Sequence, residues 1–220
     1  MSSVEQQAIE KRYRFRNIFS ALPQFAKDSI YGLVHSYRYS KWNKAGNPVP
    51  PPHVVKQDAI KSYGSKYNVK TFIETGTFLG DMLEAVQNNF DTLYSIEIVD
   101  FIHELAKNRF RNNTKIKLLL GDSSVKLPEL VQQLKVPALF WLDGHFSGGD
   151  TGFGDTGCPI YAEIDTIFAS PHKHILLIDD ARCFIGEVGY PPLEEFRKYV
   201  LSKKPEAQFE VKDDIIRVVY

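Results

Sequence analysis

With 220 residues, 43% of them hydrophobic, the chain can bury one sizeable core, so a single α/β domain with an appended arm is expected and two separate domains would be cramped. Its 27 Lys and Arg balance 27 Asp and Glu to a formal charge of zero, which removes the electrostatic footprint that a nucleic-acid binder generally needs. Only Cys158 and Cys183 occur, without a CxxC spacing, a signal-peptide run or a bilayer-length apolar stretch, so a reducing cytoplasm and free thiols are expected.

Residues 1 to 50 lean basic, with Lys11, Arg12, Arg14, Arg16, Lys27, Arg38, Lys41 and Lys44 against Glu5, Glu10 and Asp28. Apolar positions Phe15, Ile18, Phe19, Leu22, Phe25, Ile30 and Leu33 recur at roughly helical spacing, and Pro23 is expected to split the stretch into two helices. The segment NPVPPPH, residues 47 to 53, then reads as an extended connector, because consecutive prolines fix φ and bias each preceding residue away from helix. Residues 1–52 therefore form a helical arm with its connector, and residues 53–220 the main domain.

Buried-strand candidates follow in alternation with helical patterns: KTFIET (70–75), TLYSIEI (92–98), IKLLLGD (116–122), ALFWLDG (138–144) and HILLIDD (174–180). Between them, Leu79, Met82, Leu83, Val86 and Phe90 mark one helical face, Ile102, Leu105, Ala106 and Arg109 a second, and Leu127, Leu130, Val131 and Leu134 a third. Such alternation predicts a doubly wound parallel sheet with helices on both faces. The tail FEVKDDIIRVVY carries two strand-like runs around Asp213 and Asp214, which suits a closing antiparallel hairpin.

In an open α/β sheet, ligands bind beyond the carboxyl ends of the strands. Every candidate strand here ends in acid: Glu74, Glu97, Asp122, Asp143, and the pair Asp179 and Asp180. Any one of them has a plain reading as a helix cap, but the full set points to a site. The first turn, TFIETGTFLGDM at 71 to 82, argues against a dinucleotide. Gly76 and Gly80 are four apart, Phe78 holds the middle glycine position, and Glu74 would oppose a pyrophosphate. A ligand without phosphates that carries a cationic amine fits better, since a strand-end carboxylate recognises it by a charge-assisted hydrogen bond; S-adenosylmethionine has such an ammonium and a sulfonium as well. Glu97, about twenty residues past the turn, suits ribose hydroxyls.

The segments ETGTFLG, SIEI and GDSS resemble the successive cofactor segments of class I methyltransferases over residues 70 to 180 and onward to the C-terminus, with a departure from the glycine-rich form at Phe78. The resemblance implies a Rossmann-like, mostly parallel seven-stranded sheet with a C-terminal antiparallel hairpin. It also implies that Glu74 holds the donor's amino group, that Gly76, Thr77 and Gly80 line its methionine part, that Glu97 and Ile98 meet the ribose, and that Asp122 and Ser123 contact adenine. Asp143 would border the donor as well. Thr77 and Ser123 have a plain alternative as helix caps.

The fourth and fifth strands should be neighbours about 4.8 Å apart, so that Asp143, Asp179 and Asp180 converge. Unpaired carboxylates repel, so either some protonate or a cation joins them, and an oxygen-rich site suits Mg²⁺ or another divalent ion. The pattern resembles metal-dependent O-methyltransferases of the catechol and macrolide-sugar types, which implies Asp143, Asp179 and Asp180 as metal ligands. The plain alternative pairs Asp179 or Asp180 with Arg182 and leaves Asp143 as a metal-free hydrogen-bond partner of the acceptor. His145, two residues past Asp143, is a candidate base, metal ligand or orienting donor; the catalytic candidates are thus Asp143, His145 and Asp179. His103, His172 and His174 are expected to be structural or solvated. The glycine-rich stretch 144 to 160 reads as a lid, and Cys158 as a packing residue.

The expected function is S-adenosylmethionine-dependent methyl transfer, with Mg²⁺ assistance, to a small hydroxylated acceptor of sugar or polyol type. Its rivals are a metal-independent O- or N-methyltransferase using His145, a non-catalytic binding domain, and more distantly a nucleotide-dependent oxidoreductase. The arm, with Tyr31, Tyr37, Tyr39 and Trp42, has three competing uses: covering the acceptor pocket, pairing two subunits as a homodimer, or resting on a membrane. Packing on the domain or on a second subunit is the favoured use, and neither membrane association nor nucleic-acid binding is expected.

Overall fold

A computed structural model of the chain describes residues 3–20, 22–143, 160–187 and 189–220. His145, Cys158 and the glycine-rich stretch 144–159 lie outside the described residues. Helices α1 (Ser3–Ser20) and α2 (Gln24–Lys44) form the arm, and Pro23 sits at the N-cap of α2, where its fixed φ and missing N–H cost the helix nothing. A third helix, α3 (His53–Lys66), follows the proline connector directly from Pro52. The periodicity did not mark it, because its buried Val54, Val55, Ala59 and Ile60 alternate with Lys56, Gln57 and Asp58 along a weakly amphipathic stretch.

The alternation then runs β1 (Thr71–Thr75), α4 (Asp81–Val86), β2 (Thr92–Glu97), α5 (Asp100–Phe110), β3 (Ile116–Leu120), α6 (Ser123–Gln133), β4 (Ala138–Leu142), α7 (Ile160–Phe168) and β5 (Ile175–Ile178). A 3-10 turn (Ala181–Cys183), α8 (Leu193–Lys203), β6 (Gln208–Lys212) and β7 (Ile215–Val219) complete it. The seven strands lie in the order β3-β2-β1-β4-β5-β7-β6, with β1 to β5 parallel and β7 antiparallel to both β5 and β6. The expected doubly wound sheet with a terminal hairpin is therefore present. Lys212 pairs with Ile215 across a two-residue turn in which Asp213 and Asp214 both take positive φ, the left-handed geometry that matches the twist of a tight hairpin.

Successive strand residues point to opposite faces and both faces are covered, which is why the strands read as continuous apolar runs. Ile73, Ile96, Phe140 and Ile178 pack with Leu127 of α6, Ile164 of α7 and Phe196 of α8. Phe72, Leu93, Trp141 and Leu177 pack with Ile60 of α3, Leu83 of α4 and Phe110 of α5. Each such side chain, fully buried, contributes about 1.5–3 kcal/mol relative to exposure. The chain runs outward from β1 through β2 and β3, then returns to place β4 on the other side of β1. That reversal opens a crevice at the carboxyl ends of β1 and β4.

The arm closes over one wall of this crevice. Ile9 and Tyr13 of α1 are buried against Leu79 and Ile102, and the Arg16 Nε donates to both carboxylate oxygens of Asp81 at 2.6 and 2.7 Å. Lys27 of α2 reaches Glu84 at 3.3 Å. On its far side α2 leaves Phe25, Leu33 and Tyr37 exposed. Among the described residues no helix is long and apolar enough to cross a membrane.

Candidate functional site

The residues just past the strand ends continue the ladder, which is what sets the acids in one row. Gly76 donates its N–H to Ile96 O at 2.9 Å, Gly121 to Glu97 O at 2.9 Å, Asp143 to Thr75 O at 3.2 Å and Asp179 to Leu142 O at 3.0 Å. Each backbone is held by its neighbour, so Glu97, Asp122, Asp143 and Asp179 are fixed along the carboxyl rim of the sheet before any ligand arrives.

After β1 the chain turns through three positive-φ residues: Gly76 (87°), Phe78 (46°) and Gly80 (75°). Gly80 has a second constraint, since a Cβ there would come within 2.4 Å of the Phe110 ring. Phe78 adopts the left-handed conformation that glycine provides freely, at a cost on the order of 1–3 kcal/mol for a bulky residue. Its N–H donates to Glu97 Oε2 at 2.8 Å, while Glu97 Oε1 accepts from Val99 N–H at 2.9 Å. One carboxylate thus ties the turn to the end of β2. Burial pushes Glu97 above the ordinary glutamate range despite the backbone donors of Val99, Phe78 and Ile98. Ile98, next along, presents an apolar side chain that is 38% exposed.

Glu74 lies beneath the turn, 1% exposed. The Ser95 hydroxyl donates to its Oε1 at 2.7 Å, and Thr77 Oγ1 lies 2.5 Å from the same Ser95 oxygen. Burial pushes Glu74 up to about 8, against the lowering effect of the Ser95 bond and with help from the Glu97 and Asp81 charges. Glu74 is thus the base of a buried Glu74–Ser95–Thr77 chain beneath the turn. Asp122 is the N-cap of α6 and accepts from Ser124 N–H at 2.8 Å, so the capping alternative describes its geometry, with Ser123 buried beside it.

At β4 and β5 the carboxylates do gather, and two cations gather with them. Lys56, in the first turn of α3, brings its Nζ to 2.5 Å from Asp179 Oδ2 and 3.5 Å from Asp180 Oδ1. Asp179 Oδ1 accepts from Asp180 N–H at 2.8 Å. Arg182 takes Asp180 Oδ1 from the other side at 2.7 Å and also grips Asp214 of the hairpin turn, whose Oδ1 accepts the Arg182 N–H at 2.8 Å. Burial raises Asp179 to about 6, with Lys56 opposing and Asp180 assisting. Burial and the Asp179 charge raise Asp143 well above the usual carboxylate range. Lys56 stays above its ordinary value because Asp179 and Asp180 outweigh the burial that lowers it.

This arrangement does not fit the magnesium site expected from Asp143, Asp179 and Asp180. Among the described residues no group of three or more His, Cys, Asp and Glu side chains is placed to hold a metal ion. A divalent cation needs carboxylate oxygens turned onto it at about 2.0–2.6 Å, whereas Asp179 is turned onto Lys56 and Asp180 onto Lys56 and Arg182. The ion-pair alternative with Arg182 is the one realised for Asp180. Lys56 was invisible to sequence reasoning, since nothing local connects it to carboxylates more than 120 residues away.

His172 and His174 lie at the opposite end of the sheet. His174 is fully buried, accepts Ala138 N–H through Nδ1 at 3.0 Å and meets Ser170 Oγ through Nε2 at 2.8 Å; burial lowers it to about 4 and keeps it neutral. His103 is buried on α5. A separate cavity of about 530 Å³ opens between α2, α3 and the hairpin, lined by Tyr39, Trp42, Asp58, Asp213 and Arg217 among others.

No family model matches the sequence, and no curated protein matches it significantly. Solved structures do resemble it. The O-methyltransferase TomG of Streptomyces achromogenes, involved in tomaymycin synthesis and solved with S-adenosylmethionine, is 13% identical with a TM-score of 0.58, covering 84% of this chain and 87% of its own. PaMTH1, a methyltransferase of Podospora anserina solved with S-adenosylhomocysteine, is 13% identical with a TM-score of 0.55, covering 90% and 97%. An O-methyltransferase of Bacillus cereus, also with S-adenosylhomocysteine, is 12% identical with a TM-score of 0.53, covering 84% and 90%. The overall superposition shows that the chain has the fold of these methyltransferases.

Proposed function

We propose that the chain is an S-adenosylmethionine-dependent methyltransferase acting on an oxygen of a small hydroxylated acceptor of sugar or polyol type. The observation that carries this reading is the single rim on which Asp122 with Ser123, Glu97, a glycine turn and Asp143 follow one another at the ends of β3, β2, β1 and β4. The solved neighbours that hold the methyl donor or its product support the same reading.

S-adenosylmethionine supplies, when bound, a methyl carbon on a sulfonium sulfur. Gly76, Thr77 and Gly80 let backbone approach its methionine part, and Phe78 is tolerated because no pyrophosphate has to fit against the turn. Glu97, already oriented by the Phe78 and Val99 N–H groups, keeps lone pairs for two ribose hydroxyls. Ile98 offers an apolar edge to the base, and Asp122 with Ser123 border it. Asp143 lies between the donor turn and Asp179, and its raised pKa makes its ionised form a stronger base than an ordinary carboxylate. Asp143 would take the hydroxyl proton as the acceptor oxygen bonds the methyl carbon and the carbon–sulfur bond breaks to leave a neutral thioether. His145 is the alternative base. No step is assigned to magnesium, because Lys56 and Arg182 already engage Asp179 and Asp180.

Transfer of labelled methyl from S-adenosylmethionine to a panel of sugars and polyols tests this. The reading predicts product with at least one acceptor and a loss of about 10²–10⁴-fold in turnover for Asp143→Asn with donor affinity retained. Donor binding without turnover on any hydroxylated acceptor would favour a non-catalytic binding domain.

A further inference from the structure

Lys56 is placed by the fold against the acids at the end of β5. It lies in the first turn of α3, a helix launched from Pro52 and anchored through Ile60 in the core beneath β1 and β4. Its side chain is 13% exposed, and its ammonium stands where the Asp179 and Asp180 carboxylates meet, at 2.5 and 3.5 Å. A divalent ion bound by the same oxygens would need that space. We infer that Lys56 is a resident cation that takes the place of a divalent metal on the acceptor side of the site, neutralising Asp179 and Asp180 and offering its remaining N–H to the acceptor's hydroxyl oxygen.

The hydrogen-bond count supports this. An ammonium has three donors and no acceptor; two point to Asp179 and Asp180, and one remains for a ligand beside Asp143. Arg182 fixes Asp180 from behind and ties it to Asp214, so the pair is held against both cations rather than turned toward a common point in the crevice. A fixed ammonium also orients a hydroxyl oxygen as an ion would, but by a directed hydrogen bond, which favours an acceptor presenting one oxygen over one presenting a chelating pair.

The inference rests on the methyltransferase reading only for the identity of the ligand; the claim about the cation does not need turnover. Manganese binding, followed by the loss of the free Mn²⁺ resonance on titration, tests it directly in wild type, Lys56→Ala and the double variant Lys56→Ala/Asp179→Asn. Wild type should leave the signal of free Mn²⁺ unattenuated, Lys56→Ala should bind one ion per chain at least about tenfold more tightly, and the double variant should lose that gain. One Mn²⁺ bound tightly by wild type and lost in Asp179→Asn would overturn the inference, as would a folded Lys56→Ala that gains no affinity. The wild-type measurement remains decisive if Lys56→Ala does not fold. Methyl transfer, once an acceptor is found, should be unchanged by a chelator and should fall in Lys56→Met with a rise in acceptor KM; absence of any turnover would bear on the methyltransferase reading and leave the metal result standing.

Discussion

At the scale of single residues, the site is built from groups whose cost is met by their partners. Glu74 is the clearest case, a carboxyl buried beneath the turn after β1 and pushed to about 8. Between about pH 4.5 and 8 the folded chain keeps a proton that the unfolded chain has lost, so the difference in bound protons is negative and stability falls as pH rises through that window. Glu74→Gln retains an acceptor for the Ser95 hydroxyl and removes the titration. Urea unfolding at pH 5 and pH 8 should show the wild type losing more stability than Glu74→Gln, by a few kcal/mol at most, while Asp143, Asp179 and Glu97 titrate in both proteins. Equal slopes for the two proteins would show that Glu74 is charged in the fold. Glu97 differs because its two oxygens serve backbone donors, so Glu97→Ala should cost about 1.5–3 kcal/mol of stability as well as donor affinity, both readable in one thermal melt with and without the donor.

At the scale of elements, the turn between β1 and α4 carries the most constraint. Gly80→Ala meets both a positive φ and the Phe110 ring, and should destabilise by about 1–3 kcal/mol. Gly32→Ala, in the middle of α2 with open space around its Cβ, should be neutral or stabilising by up to about 1 kcal/mol. A denaturant series comparing the two variants checks both, and equal costs would contradict the packing described here. The strands, the hairpin and the break at Pro23 were legible because periodicity and turn residues record local geometry. Helix α3 was not, since its apolar positions are few and it earns its place by packing Ile60 against the sheet. The strand-end acids were readable as a set because topology alone gathers them. What they do there was not readable, because the partners that decide it, Ser95 for Glu74 and Lys56 for Asp179, come from elements remote in sequence.

For the whole molecule, the arm and the sheet act on the same crevice. Helix α1 braces the turn after β1 through Ile9, Tyr13 and the Arg16–Asp81 pair, which joins Arg109 at 2.9 Å, and α3 sends Lys56 to Asp179 at the end of β5. The β1 end and the β5 end of the rim are thus each held by a helix from outside the alternating core. The central claim is that this rim is shaped for a phosphate-free, positively charged nucleoside. Calorimetric titration of S-adenosylmethionine into the intact chain tests it most directly: the account predicts binding at one site per chain, weakened at least about tenfold in Glu97→Ala, with no heat from NADH. No binding of S-adenosylmethionine or S-adenosylhomocysteine, or binding of NADH in their place, would contradict it.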